Sequence, residues 1–257
     1  MSTLRKPFFF VALGLIACCV LVELGIGSLL GDVQAVRSEL SSAIDEAGVE
    51  VSGSDRNAAL DEAGPLTDRA RPGLAIRYLA LLDGILLLTV VLMATGLYFP
   101  ESVHARVQAL VSCVGSCLLI LMTIVLILLA LLLLFLMVGL FLAAPFGTIA
   151  YLAIFGFFDV EGAAVTLGLL MLLKLGFVGF LIAANQGFLL SKGLVLIVLS
   201  SLVANIIISF LHGFPPGFLV SITDSIAAII VGIIALIWAI IVLVGAIMAI
   251  VRSLKVA

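Results

Sequence analysis

Long apolar runs without charge limit the fold of this chain more than any other feature of its sequence. Residues 107–158 include no Asp, Glu, Lys or Arg. Hydrophobic residues make up 65% of the 257 residues, whereas soluble domains contain about half. Only helices and closed barrels satisfy their backbone groups inside a bilayer, and runs of about 20 apolar residues are typical of membrane helices. The sequence therefore predicts an all-α, polytopic integral membrane helix bundle, with the lipid bilayer as its solvent.

Apolar runs of spanning length predict about six transmembrane helices. The third run is interrupted at Ala144-Pro145-Phe146-Gly147, which leaves a piece of 11 residues at 148–158. A helix of that length is too short to cross, so it is predicted to be a re-entrant or interfacial segment. The predicted spans are 8–30, 78–99, 108–143, 162–184, 193–211 and 225–251.

This pattern divides the chain into three parts. Residues 1–31 form the first transmembrane helix, and the apolar run is long enough to favour a retained span over a cleaved signal. Residues 32–77 form an acidic, extracytoplasmic helical connection with nine carboxylates and five arginines. Residues 78–257 form a five-helix membrane bundle that includes the short segment near 148–158. The acidic connection offers no basic patch, so nucleic acid is not an expected partner.

The placement of Lys and Arg near the ends of the spans indicates the orientation in the membrane. Six basic residues lie on the side of the N-terminus and five lie in the first connection. Because cytoplasmic ends carry the excess of positive charge, we predict a multi-pass protein of the cell membrane with both termini in the cytoplasm. The six are Arg5, Lys6, Arg106, Lys192, Arg252 and Lys255, against Arg37, Arg56, Arg69, Arg71 and Arg77.

Lys174 is the most informative single residue, because it lies in the middle of the predicted fourth span. A charge at the centre of a bilayer costs about 2.5–3.5 kcal/mol on insertion scales unless another group compensates it. Its neighbours at helical spacing are apolar, so a partner has to come from another helix. We predict an ion pair with Glu23, with Asp83 as the alternative carboxylate. Three interpretations stay open: a structural lock (or a lysine that only reaches water along its stem), a titratable switch, and a ligand site.

A polar stripe marks the fifth span, where Ser201, Asn205 and Ser209 follow one another at intervals of four residues and His212 comes three residues later. Interhelical hydrogen bonds explain such a stripe, and the lining of a hydrated path is the functional alternative. His212 is predicted to lie at the membrane interface rather than to bind a ligand.

Several other features favour structural roles. Ser221-Ile222-Thr223-Asp224 is typical of a capping box at the start of the sixth span. Gly168, Gly176 and Gly179 predict a close-packed helix face. No motif of known catalytic chemistry occurs, so no catalytic residue, metal site or cofactor is predicted and an enzyme is not expected.

Two functions remain open from the sequence. The first is a small-ion or proton channel or carrier, built around a buried pair of a lysine and a carboxylate. The alternative is a non-transporting scaffold or accessory subunit that binds a membrane protein or forms a homo-oligomer. The candidate site residues are Glu23, Asp83, Lys174, Ser201, Asn205, Ser209 and His212.

Overall fold

A computed structural model describes most of the chain outside the first connection. The described ranges are 5–29, 74–97, 101–143, 146–155, 160–187, 192–214 and 219–255. Within these ranges the regular structure is helical, and no strand occurs. Most of the predicted acidic connection, up to residue 73, lies outside the described residues.

Seven helices are described, and six of them are long and apolar enough to cross a membrane. The all-α membrane helix bundle predicted from the sequence is confirmed. In chain order the helices are α1 (Lys6–Leu29), α2 (Leu74–Thr95), α3 (Glu101–Leu142), α4 (Phe146–Phe155), α5 (Val160–Ala184), α6 (Lys192–Gly213) and α7 (Val220–Lys255).

The short helix α4 folds back against the end of α3. At 1.5 Å per residue its 10 residues extend about 15 Å, half of what a bilayer core requires. Thr148 donates a hydrogen bond of 2.9 Å to the carbonyl oxygen of Phe141. The ring of Tyr151 packs edge-on against that of Phe141, with 5.2 Å between centroids. The break between α3 and α4 falls where the sequence predicted it.

Helix α2 occupies the centre of the bundle and contacts α1, α3, α6 and α7. Over half of its most apolar, membrane-spanning part is buried inside the protein, compared with 17% for α3. Around it, α1 packs on α5, α5 on α6, α6 on α7 and α7 on α3. A polar residue on α2 is therefore surrounded by other helices and not by lipid.

Helix ends differ from the prediction by several residues. Helix α2 begins at Leu74 instead of Tyr78, α3 at Glu101 instead of Gln108, and α7 at Val220 instead of Ser225. Apolar runs identify the part of a helix inside hydrocarbon, whereas polar residues continue the same helix into the headgroup layer.

The most extensive contact between two described helices is that of α3 with α7, and it depends on Gly232. A Cβ atom at this position would lie 2.9 Å from Cγ1 of Ile127 on α3, closer than carbon atoms pack. Gly245, on the same helix, has nothing within 4 Å of the equivalent position. The absence of a side chain at Gly232 thus sets the separation of these two helices.

We expect Gly232→Leu to lower the thermal unfolding midpoint of the purified protein, because overpacking costs about 1–3 kcal/mol. Gly245→Leu is the matched control and should leave the midpoint near that of the wild type. Thermal unfolding followed by circular dichroism measures both. An equal midpoint for the two variants would contradict this account of the contact.

Candidate functional site

Lys174 lies on the buried face of α5, where it is 2% exposed. The buried residues of α5 follow one another at intervals of three or four, which is the spacing of one helix face. Lys174 occupies one of these positions between Leu170 and Phe177, so its side chain has no direct exit to lipid or water. Its charge has to be compensated inside the protein.

Two carboxylates from different helices meet the ammonium group of Lys174. Its Nζ lies 2.8 Å from Oδ2 of Asp83 on α2 and 3.3 Å from Oε1 of Glu23 on α1. Both carboxylate side chains are fully buried. The predicted pair with Glu23 is present, and the alternative partner Asp83 contacts the same nitrogen. We refer to Glu23, Asp83 and Lys174 as the charge cluster.

The local sequence of α1 explains why Glu23 points inward. Ala12, Ile16 and Cys19 form its buried face at spacings of four and three, and Glu23 follows four residues later. Asp83 lies in the interior because α2 is buried over most of its circumference. The helices therefore direct both carboxylates toward the bundle interior.

Ser201 connects the charge cluster to a fourth helix. Its hydroxyl on α6 donates a short hydrogen bond to Oδ1 of Asp83. Each oxygen of Asp83 thus has a separate partner, Ser201 for Oδ1 and Lys174 for Oδ2. Asp83 is the more firmly held of the two carboxylates.

The charge balance of the cluster is uneven. Two carboxylates and one ammonium group carry a formal charge of −1 when all three are ionised. A lone net charge is costly in a medium of low dielectric constant, whereas a neutral ion pair costs less. Binding one proton, or one monovalent cation, makes the cluster neutral. A purely structural lock requires only one acid for one base.

The polar stripe on α6 divides into buried and exposed members. Ser201, Asn205 and His212 are buried, while Ser209 is exposed and donates a hydrogen bond of 2.9 Å to the backbone carbonyl oxygen of Asn205. Eight residues along an ideal helix turn about 80° past two full turns, so Ser209 lies beside the buried face that Ser201 belongs to. The structure thus places only part of the predicted stripe on one face.

His212 forms a second buried ionic contact at the end of the bundle where α6 ends and α7 begins. Its Nε2 lies 2.8 Å from Oδ1 of Asp224, and its Nδ1 lies 2.8 Å from the carbonyl oxygen of Ile208. Both neighbouring atoms are acceptors, so the imidazolium form, with a hydrogen on each nitrogen, suits both contacts. His212 is 3% exposed and lies in the last turn of α6.

The predicted capping box at Ser221-Ile222-Thr223-Asp224 is wrong, because α7 begins at Val220 and these residues lie inside the helix; Asp224 contacts another helix instead. The backbone amide of Ala75, in the first turn of α2, donates to Oδ1 and Oδ2 at 3.3 Å each. A carboxylate is favourable there, because the first amides of a helix lack intrahelical partners. The sequence contained one indication of the contact between His212 and Asp224: the connection between α6 and α7 is short, so the end of one helix lies near the start of the next.

A cavity of about 360 Å³ lies between α5 and α6 at this end of the bundle. It extends from Gly213 down to Asn205 and Met171. Asn205 lies one helical turn from Ser201, and Met171 lies one turn from Lys174. The cavity wall therefore approaches the charge cluster without including it. Its lining comprises Ala164, Leu167, Gly168, Met171, Asn205, Ile206, Ser209, His212 and Gly213.

The glycines predicted to form a packing face on α5 behave differently from one another. A Cβ at Gly176 would lie 3.4 Å from Leu15 of α1, an ordinary packing contact. At Gly168 and Gly179 the same atom would meet nothing within 4 Å. Within the described part of the chain these two glycines pack against no neighbouring helix, and Gly168 lines the cavity.

Among the described residues, no three His, Cys, Asp or Glu side chains are placed to hold a metal ion. Comparisons with protein family models, with curated proteins and with solved structures found no match for this chain. The class that the fold defines is a multi-pass membrane helix bundle with a buried ionic centre.

Lys174→Met leaves two carboxylates in the bundle without a cation, so we expect it to lower the free energy of unfolding by about 3–5 kcal/mol. Adding Glu23→Gln and Asp83→Asn removes the uncompensated charge and should restore a large part of that loss. Thermal or denaturant unfolding in detergent micelles measures both. Leu175→Met, at the exposed neighbouring position, is the control for the methionine side chain. The ionic account fails if the triple variant is no more stable than Lys174→Met.

Proposed function

We propose that this protein carries protons across the membrane, with the charge cluster as the exchange site. One observation supports the proposal above all: the cluster holds one acid more than its base can neutralise, in a fully buried position. The second carboxylate ties a further helix to Lys174, but it leaves one negative charge without a counter-ion. It does provide a place where a proton binds and leaves, as intramembrane carboxylates do in pumps and transporters.

Glu23 is the carboxylate that we assign to the proton. It is the more distant partner of Lys174, at 3.3 Å against 2.8 Å for Asp83. Asp83 has the additional hydrogen bond from Ser201. Protonation of Glu23 leaves a neutral Asp83–Lys174 pair, and deprotonation returns the negative charge that attracts the next proton. Ser201 bonds to Asp83, which contacts the same Lys174 nitrogen as Glu23, so a proton that enters from the side of α6 reaches Glu23 by way of Asp83.

The access route that we propose runs along the cavity between α5 and α6. It gives water a path from the His212 end of the bundle to Asn205, one turn from Ser201. Asp224 lies beside this end in contact with His212.

The test is proton flux into liposomes that contain the purified protein, followed with an internal pH-sensitive dye after a pH jump. We expect Glu23→Gln to reduce the flux by about tenfold or more, because an amide at that depth does not exchange protons. Glu23→Gln keeps the Asp83–Lys174 pair, so the fold is retained. Thr89→Val is the matched control: the hydroxyl of Thr89 donates a hydrogen bond to the carbonyl oxygen of Ile85 on its own helix. It should conduct like the wild type.

Other outcomes separate the alternatives. A flux that follows a sodium or potassium gradient, and not the pH gradient, would mean that a metal cation and not a proton neutralises the extra carboxylate of the charge cluster. Wild-type liposomes that conduct no better than empty ones, together with a Lys174→Met variant that loses only stability, contradict the proposal. In that case the cluster is a structural lock, and the scaffold function gains support.

We also propose that both termini face the cytoplasm and that the connection between α1 and α2 lies outside. Single cysteines at Thr3, Ser54 and Ser253, in a variant lacking Cys18, Cys19, Cys113 and Cys117, test this with a membrane-impermeant maleimide. Ser54→Cys should react in intact cells, and the other two only after permeabilisation. Reaction of Thr3→Cys and Ser253→Cys from opposite sides would mean that the region of α4 crosses the membrane.

A further inference from the structure

A groove lined only by apolar side chains lies between α5 and α6 at the end of the bundle opposite His212. Its volume is about 170 Å³. Helix α5 contributes residues from its last two turns, and α6 contributes residues from its first three. Val195 and Leu199 in its wall are exposed, so the groove is open toward lipid. The lining of this apolar groove is Val178, Leu181, Ile182, Leu194, Val195, Val198, Leu199 and Leu202.

The length of the apolar groove matches one leaflet of a bilayer. Helix α6 begins at Lys192, and the deepest lining residue, Leu202, lies ten residues further along. At 1.5 Å per residue this distance is about 15 Å, half of the roughly 30 Å of a hydrocarbon core. An unfilled space between helices forfeits packing contacts, and lipid chains are the apolar molecules that surround it. An acyl chain that enters from the start of α6 therefore fills the groove as far as mid-membrane.

The start of α1 is fixed beside the mouth of the apolar groove. The backbone amide of Arg5 donates a hydrogen bond of 3.1 Å to the carbonyl oxygen of Ala184, the last residue of α5. The ring of Phe8 stacks on that of Phe180, with 6.2 Å between centroids. The residues that precede and open α1 thus lie at the level of the helix ends that border the groove.

This end of α1, α5 and α6 carries positive charge and no acid. Lys6 begins α1 next to Arg5, and Lys192 begins α6. The side chains of Arg5 and Lys6 are exposed, and neither forms an ion pair with a described residue. Residues 1–22 and 162–223 contain no Asp or Glu. An anion at this position therefore meets basic residues without a carboxylate from the same helix segments. Basic pockets between membrane helices bind the head groups of anionic lipids.

From the apolar groove and the charges beside it we infer that this site binds one phospholipid with an anionic head group. One acyl chain lies in the groove, and the phosphate lies at Arg5, Lys6 and Lys192. A zwitterionic lipid brings its own cation, so it gains less from three basic residues. The site goes beyond the proposed proton transport, because lipid binding requires no proton movement. None of the groove residues lines the cavity at the His212 end.

The test counts the lipids bound to the delipidated protein by native mass spectrometry in detergent. Phosphatidylglycerol and phosphatidylcholine with the same acyl chains are titrated separately. We expect the first phosphatidylglycerol to bind about tenfold more tightly than the first phosphatidylcholine, because the basic residues attract its net charge. Arg5→Gln combined with Lys6→Gln should remove this preference. Arg252→Gln combined with Lys255→Gln is the matched control, since it removes the same charge from the end of α7. It should keep the preference.

Filling the groove provides a variant that leaves every charge in place. Val195→Trp puts a large side chain into the apolar groove from its exposed edge, and it should weaken binding of the first phosphatidylglycerol about tenfold, as the acyl chain loses its contacts. Val203→Trp is the matched control, because Val203 is an exposed valine on the same helix outside the groove. It should bind phosphatidylglycerol like the wild type.

Three results would overturn the inference. These are equal affinity of the wild type for the two lipids, a preference for phosphatidylglycerol that persists without Arg5 and Lys6, and unchanged binding in Val195→Trp. The assay records no flux and does not depend on the orientation in a membrane, so its failure leaves the proposed proton transport untouched. Absence of flux in the liposome experiment likewise leaves a positive lipid-binding result standing.

Discussion

The cost of holding a charge in hydrocarbon controls the centre of this bundle. Lys174 is 2% exposed in the interior of a membrane helix, and only a negative group from another helix makes that position tolerable. The consequence is a contact between parts of the chain that are far apart in sequence. Through Glu23, Asp83 and Ser201, one ammonium group ties α5 to α1, to α2 and, by way of Asp83, to α6.

Apolar packing by itself does not determine how such helices meet. Between helices in lipid there is little hydrophobic driving force, because the tails are as apolar as leucine side chains. Directional contacts therefore decide rotation and depth. The charge cluster does this near mid-membrane, and Asp224 does it at one end, where it contacts His212 and the first turn of α2. Gly232 contributes a steric limit between α3 and α7.

Much of the architecture was predictable because hydrocarbon imposes a length and a composition on each span. The six helices, the break before α4 and the need for an acidic partner to Lys174 all follow from that constraint. The buried faces followed only in part: Lys174 marks the face of α5 that includes Leu170, but the apolar residues on the rest of the helix do not show where a neighbouring helix ends and lipid begins. The cavity beside Gly168 and the contact of Asp224 with Ala75 depend on those rotations, and for that reason the sequence alone did not indicate them.

The order in which the cluster residues occur along the chain has a consequence for biogenesis. Glu23 precedes Lys174 by 151 residues, and Asp83 precedes it by 91. At roughly 5–20 residues per second, a ribosome needs on the order of 8–30 s to reach the lysine after making the first acid. The two acids thus leave the ribosome well before their counter-ion exists. Until α5 arrives, they have to be shielded as neutral acids or by the insertion machinery, and the last of the three groups completes the assembly.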